Sequence, residues 1–132
     1  MAKDVDRVDE KTQLVDAYHE IMMAVEEFGR VSVNIPKTLL EVTQHIYGRY
    51  DKAGIETLHA ANTFDLEEKA KSLGIAQECL FYQFNGLETL VKAHGLTIGA
   101  ANNVIAATKI AHESIKKWRN SVLRDMAKNT SS

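Results

Sequence analysis

Apolar residues recur three and four positions apart along most of the chain, the spacing that lines up one face of an α-helix. Leu14, Tyr18, Ile21, Met22, Val25 and Phe28 form the first such stripe, with Asp16, Glu20, Glu26 and Glu27 opposite. They predict a helix over about residues 7–28 that stops at Gly29. The only proline, Pro36, lies in the next stretch, Gly29–Lys37. There Val31-Ser-Val-Asn-Ile alternates like a strand but has no partner strand elsewhere, so it reads as an extended connector sealing one end of the core. Pro36 presets φ at the entry to a second helix, about residues 37–61, striped by Leu39, Val42, Ile46, Tyr50 and Ala53. Gly48 and Gly54 each weaken that helix by roughly 1 kcal/mol relative to alanine and point to close helix packing.

Asn62–Asp65 marks the next break. Asp65 is placed to cap a third helix over about residues 65–93, with Glu67 and Glu68 favourably set in its first turn. Phe64, just before the cap, is expected to staple onto the stem of Lys69 or onto Ala70. Leu66, Ala70, Leu73, Leu80, Phe84, Leu87 and Val91 form the inner stripe, and Phe81, Tyr82 and Leu90 widen it beyond one face. His94–Gly99 reads as a turn in which His94 caps carbonyls of the third helix. A fourth helix over about residues 100–127 carries the near-heptad seam Ala101, Val104, Thr108, Ala111, Ile115, Trp118, Val122 and Met126, followed by a frayed tail from Asn129.

Four long helices with short connectors predict one all-α domain spanning residues 1–132, an up-down-up-down antiparallel four-helix bundle. The surplus apolar residues on the third helix, with Ile105 and Leu123 flanking the fourth helix's seam, predict a second apolar face and self-association.

Composition narrows the class. With 45% hydrophobic and 26% charged residues the chain reads as an ordinary soluble globular protein. No apolar run reaches membrane-spanning length, and the charged start lacks a signal core, so a cytoplasmic protein with no membrane contact is expected. The single Cys79 excludes an intramolecular disulfide and fits a reducing compartment. The net charge of −2 conceals a split: residues 1–64 carry 7 Lys/Arg against 11 Asp/Glu, residues 65–132 carry 9 against 7. Two readings of the basic C-terminal part stand: a phosphate-attracting patch, or cations gathered where they complement the helix dipole.

Candidate chemistry is sparse. Glu56-Thr-Leu-His59 has the spacing that sets two metal ligands one turn apart, but a di-metal bundle needs a second such motif and the chain has none. His94 faintly resembles the histidine of phosphotransfer domains, yet Gly95 and Gly99 break the helix that chemistry needs. Cys79 reads as a buried inert thiol. Phosphate loops, nucleophile elbows and Cys/His metal patterns are missing, so no enzyme, cofactor or small-molecule substrate is expected. Trp118 is expected in the core or at an oligomer interface; its basic neighbours Lys116, Lys117 and Arg119 leave a partner or nucleic-acid surface as the other reading.

Several of these segments fall in a familiar order. Tyr18 and Phe28 in the first helix are followed by Ile35-Pro36-Lys37, the Lys69–Leu87 stretch, the Gly-Leu-Thr-Ile turn and Ile115-Lys-Lys-Trp118-Arg-Asn-Ser121. From about Leu14 to Ser121 the chain resembles the small four-helix bundles that include the accessory variability determinant (Avd) of diversity-generating retroelements, with their relatives from ribosomal-RNA intervening sequences. The resemblance implies a homopentameric barrel that binds the retroelement's reverse transcriptase and its template RNA. Lys92 would keep the charge of a family arginine in the third helix. With a pI near 6.2, RNA contacts would come from local patches repeated around the ring. Candidates are Lys109, Lys116, Lys117 and Arg119, with Lys37 exposed at the entry to the second helix. Phe81, Tyr82, Leu90, Ile105, Trp118 and Leu123 would supply core or oligomer interface. The alternative is a helical protein-interaction module (chaperone, immunity or scaffold protein) without nucleic acid.

Overall fold

The computed structural model describes residues 10–131. Four α-helices, α1 (Glu10–Ser32), α2 (Leu40–Asn62), α3 (Leu66–Lys92) and α4 (Ile98–Ser131), form an all-α four-helix bundle, with a 3-10 turn at Lys37–Leu39 leading into α2. Each helix packs on its chain neighbours, and α1 closes the ring against α4. The α1/α2 and α3/α4 edges therefore lie on opposite sides of the bundle.

Most positions of the predicted stripes become core, but in α1 the inward face is Ala17, Ile21, Ala24 and Phe28, and Tyr18 and Met22 of the expected stripe are turned out to the surface. Ala17, Ile21, Ala24 and Phe28 of α1 meet Ile46, Tyr50 and Ala53 of α2, Leu73, Leu80, Leu87 and Leu90 of α3, and Val104, Ala111, Ile115 and Trp118 of α4. Fully burying one of the Leu, Ile, Val or Phe side chains contributes about 1.5–3 kcal/mol, an alanine less. Several polar groups enter this core with partners close by. The Thr108 hydroxyl donates to the Val104 carbonyl at 2.8 Å, which leaves its oxygen to accept from the Tyr50 hydroxyl, also at 2.8 Å. Thr57 donates to Ala53 O at 2.7 Å, and Gln83 Nε2 donates across helices to Ile46 O at 2.7 Å.

Tertiary contacts move several expected boundaries; the expected start at residue 7 lies outside the described residues. Gly29 does not end α1. The helix runs on to Ser32, whose hydroxyl bonds Gly29 O and Tyr47 OH, while Val31 packs against the core. The chain then turns through Asn34 N–H to Val31 O and Ile35 N–H to Ser32 O. Pro36, extended at φ −58° and ψ 146°, stands just ahead of the 3-10 turn, and regular α-helix starts only at Leu40. Ile98 and Gly99 belong to α4, because the Thr97 side chain accepts the Ala100 N–H at 3.1 Å and caps that end. At the other end α4 continues through Asn129 to Ser131, with no glycine or proline to break it.

Asp65 caps α3, its carboxylate accepting the Glu67 N–H at 3.1 Å. Phe64 does not staple onto Lys69 or Ala70; it is 99% exposed. The close-packing glycine is neither Gly48, which faces open space, nor Gly54, in ordinary contact with Tyr18. It is Gly86 of α3, where a Cβ would sit 2.9 Å from Ile46 Cγ1. At the α3 terminus, Gly95 N–H bonds Leu90 O at 2.7 Å and His94 N–H bonds Val91 O at 3.0 Å, a Schellman stop. His94, not glycine, takes the left-handed position there, at φ 62°. Its capping is therefore done by backbone, and at the neighbouring Gly95 a Cβ would lie 2.6 Å from Leu39 Cδ1, so that methyl would have to move aside.

Candidate functional site

The basic side chains singled out in the sequence do not form one patch. Lys37 is exposed on the 3-10 turn, at the end of the bundle where α3 also terminates. Lys92 is at that same end but is paired to Glu88 at 3.0 Å along the α3 surface. Lys109, Lys116 and Lys117 are exposed on α4, without an ion-pair partner among the described residues. Lys109 and Lys116 share a face two turns apart, about 10.5 Å along the axis, whereas Lys117 is rotated from Lys116 by about 100°. Arg119 is not an outward base. It is half-buried, its Nε donates to the Ala70 carbonyl of α3 at 3.3 Å, and its guanidinium lies over Gly74, where a Cβ would be 3.3 Å from Nε. That contact pins α4 to α3.

Above this pin runs a groove of about 720 Å³ between α3 and α4. Phe81 (56% exposed) and Tyr82 (46%) stand on its α3 wall, with Lys71 and Glu78, and His112 faces them from α4. Phe81 is the hub of an aromatic cluster, with ring centroids 6.1 Å from Tyr82, 6.2 Å from Phe84 and 6.3 Å from His112. Burial pulls the His112 ring below the ordinary imidazole value; Glu113 opposes that shift and Lys116 adds to it. His112 is thus a neutral, aromatic-like member of the groove at pH 7.

The remaining residues expected at an interface divide cleanly. Leu90 and Trp118 are core, fully buried. Ile105 is half-buried against the core, and Leu123 is partly exposed on α4.

The opposite edge holds a second groove, of about 410 Å³, between α1 and α2, lined by Leu14, Val15, Tyr18, His19, Met22 and Leu58. Ile55, 64% exposed on α2, extends its apolar surface. The sequence reading missed this edge, although a signal was present: Val15, Ile55 and Leu58 are apolar yet lie off the stripes that became core.

The sites of possible chemistry resolve into structural roles. His59 pairs with Glu68 at 3.2 Å across the α2–α3 connection, and Thr63 donates to the same carboxylate. Among the described residues no group of three or more His, Cys, Asp or Glu side chains is placed to hold a metal ion. Burial pushes the half-buried Cys79 thiol up from its ordinary value, away from the nucleophilic thiolate. Two fully buried polar atoms, Gln83 Oε1 and Trp118 Nε1, have no hydrogen-bond partner among the described residues.

The fold and these surfaces define an all-α, four-helix-bundle protein with two grooved apolar edges and exposed lysines on α4. None of its described helices is long and apolar enough to cross a membrane. No protein-family model matches the chain, and neither a curated protein nor a solved structure matches it.

Proposed function

We propose that the protein is a non-enzymatic accessory subunit of a diversity-generating retroelement, a cytoplasmic homopentamer of four-helix bundles that docks a reverse transcriptase and its template RNA. The resemblance of the segments from Leu14 to Ser121 to the Avd group supplies the partners in this reading. The observation that carries it is the outer surface of α4, where Lys109, Lys116 and Lys117 are exposed and unpaired among the described residues. Repeated around a ring, lysines so placed give a field that attracts phosphate although the net charge of one chain is −2. The two bare apolar edges supply surface for assembly and for a protein partner.

The other reading, a helical interaction module without nucleic acid, draws on two of the same side chains: Lys92 is neutralised by Glu88, and Arg119 is turned into the α3/α4 contact. Titration of a labelled single-stranded RNA by fluorescence anisotropy, at low and at moderate salt, separates the two. The accessory-subunit reading expects binding that weakens steeply with salt and is lost in Lys116→Glu/Lys117→Glu with helicity intact. Absence of binding even at low salt would sink the RNA role and leave the interaction module. A reverse-transcriptase gene beside this protein's own would support the partner assignment.

A further inference from the structure

Arg119 uses only its Nε–H within the bundle, on the Ala70 carbonyl, and one face of its guanidinium rests on Gly74. Its Nη1 and Nη2 have no hydrogen-bond or ion-pair partner among the described residues, and the residue lines the α3/α4 groove. A half-buried guanidinium fixed on a neutral carbonyl, with its fork free, is preset to take a carboxylate in two parallel bonds. The other charges lining the groove are Lys71, one turn before Gly74, and Glu78, one turn after it. With His112 neutral, two cations face one carboxylate, and one further carboxylate would neutralise the lining. Beyond Glu78 the walls turn apolar. Phe81 and Tyr82 stand exposed on α3, and the His112 ring lies 6.3 Å from Phe81 across the groove. The cationic and apolar ends, at Gly74 and Phe81, are about 10.5 Å apart along α3.

We infer that the α3/α4 groove docks an amphipathic helix of a partner protein, one with an acidic side chain two turns away from a bulky apolar one. The carboxylate seats on the Arg119 fork, and the apolar side chain packs against Phe81, Tyr82 and the His112 ring. This docking rests on the function proposed above for the existence of a protein partner, and it does not require RNA. The walls select a helix. Both are α-helices whose backbone groups are bonded internally, so an extended peptide finds no sheet edge to join. A helix instead lays its ridge of side chains into the groove between two others, and its i, i+7 spacing matches the about 10.5 Å between the two ends. Glu78, between those ends, disfavours a nucleic-acid strand with a negative charge at every nucleotide. It accepts a helix that is neutral or basic at that turn.

The probe is a phage-displayed library of helical peptides about four turns long, randomised along one face and selected on the full chain. Enriched peptides should pair Asp or Glu with Phe, Leu, Met or Trp at i+7 or i−7, and should lack acid at the turn between. A labelled synthetic copy of the leading peptide should bind about tenfold more weakly to Phe81→Ala, and to Arg119→Met, whose stem still covers Gly74. Circular dichroism checks that both variants remain helical. Replacing the peptide's acid by its amide should give the same loss and leaves the bundle unaltered. Selection of no peptide, or of peptides without the acid, overturns the inference. A leading peptide that binds Phe81→Ala unchanged overturns it too, because it sits elsewhere. If no peptide is selected but a labelled oligouridylate binds and is weakened by Phe81→Ala, the groove is an RNA surface, and this inference falls while the RNA role stands. If Phe81→Ala lowers the sedimenting mass, a second copy of the chain covers the groove and the inference again falls. Peptide binding as expected, with no RNA bound even at low salt, would uphold the docking site and remove the RNA role.

Discussion

Replacing Gln83 by leucine should stabilise the protein, against the ordinary expectation for a fully buried, cross-helix hydrogen bond. The Gln83 side chain is 0% exposed and makes one bond, Nε2 to Ile46 O at 2.7 Å. Its Oε1 is buried without a partner. Leucine removes the bond, a net loss of about 0.5–1.5 kcal/mol. The bond's loss creates no new orphan, because Ile46 lies inside α2 and its carbonyl keeps a helical partner. Leucine also removes the stranded carbonyl oxygen, which relieves about 1–3 kcal/mol of uncompensated desolvation, and it fills the space with an apolar group. The balance is about 1 kcal/mol in favour of the variant, a rise in Tm of about 3–5 °C for a chain of this size. Guanidinium unfolding followed by circular dichroism, at two protein concentrations to separate folding from assembly, gives the difference directly. Gln83→Glu is the opposing control, since an uncompensated buried carboxylate costs about 3–5 kcal/mol. A Leu variant that loses more than about 1 kcal/mol at an unchanged m value would refute the reasoning. It would mean that Oε1 is satisfied in solution, as by an internal water.

Two further substitutions probe the backbone and the buried phenol. Burial pushes the Tyr50 hydroxyl up to about 12 from 10.0, with the Thr108 bond opposing the shift. The folded state therefore holds a proton that the unfolded chain releases, so this stabilisation is complete below pH 10 and disappears as pH rises from 10 to 12. The slope amounts to about 2–3 kcal/mol over that window, and Tyr50→Phe should unfold without it; an unchanged alkaline slope in the variant would assign the effect to other groups. At the end of α3, His94→Gly should raise stability by about 0.5–1 kcal/mol, because a left-handed conformation costs a non-glycine residue about 1–2 kcal/mol and glycine's own entropy loss offsets part of the gain. A fall in Tm would show instead that the imidazole makes a contact the backbone geometry does not reveal.

The helices were legible in the sequence because each stripe repeats at helical spacing, and the stripes of the second and fourth helices became core almost whole; the first was rotated, so that Tyr18 and Met22 face out while Ala17 and Ala24 are buried. Asp65 was legible too, since a cap needs only the three residues that follow it. Boundaries set by distant contacts were not. Nothing near Gly29 announces that Tyr47 will hold Ser32 in the helix. The Thr97 cap was as local as that of Asp65, but it was masked by the glycine two residues beyond it. The same holds for the candidate site. That Phe81, Tyr82 and Leu90 exceed one face is visible in the spacing, but which of them is buried depends on where α2 and α4 lie against α3. Arg119 reads as a solvent base until α3 brings Ala70 O and the bare backbone of Gly74 beneath it.

Geometry on α4 links the RNA role to assembly. A cation contributes to RNA binding where it meets a phosphate, and on one copy only Lys109 and Lys116 share a face. Lys117 is turned away by about 100° and Arg119 is held inward. One copy thus neutralises about two phosphates of a single strand, which gives a log–log salt slope of only about −1.4 and weak binding at physiological salt. Useful affinity then requires several copies held in fixed register, as in the homopentamer proposed above. An RNA-binding slope near −1.4 in the assembled protein would break this link, because it would mean that the copies do not act together.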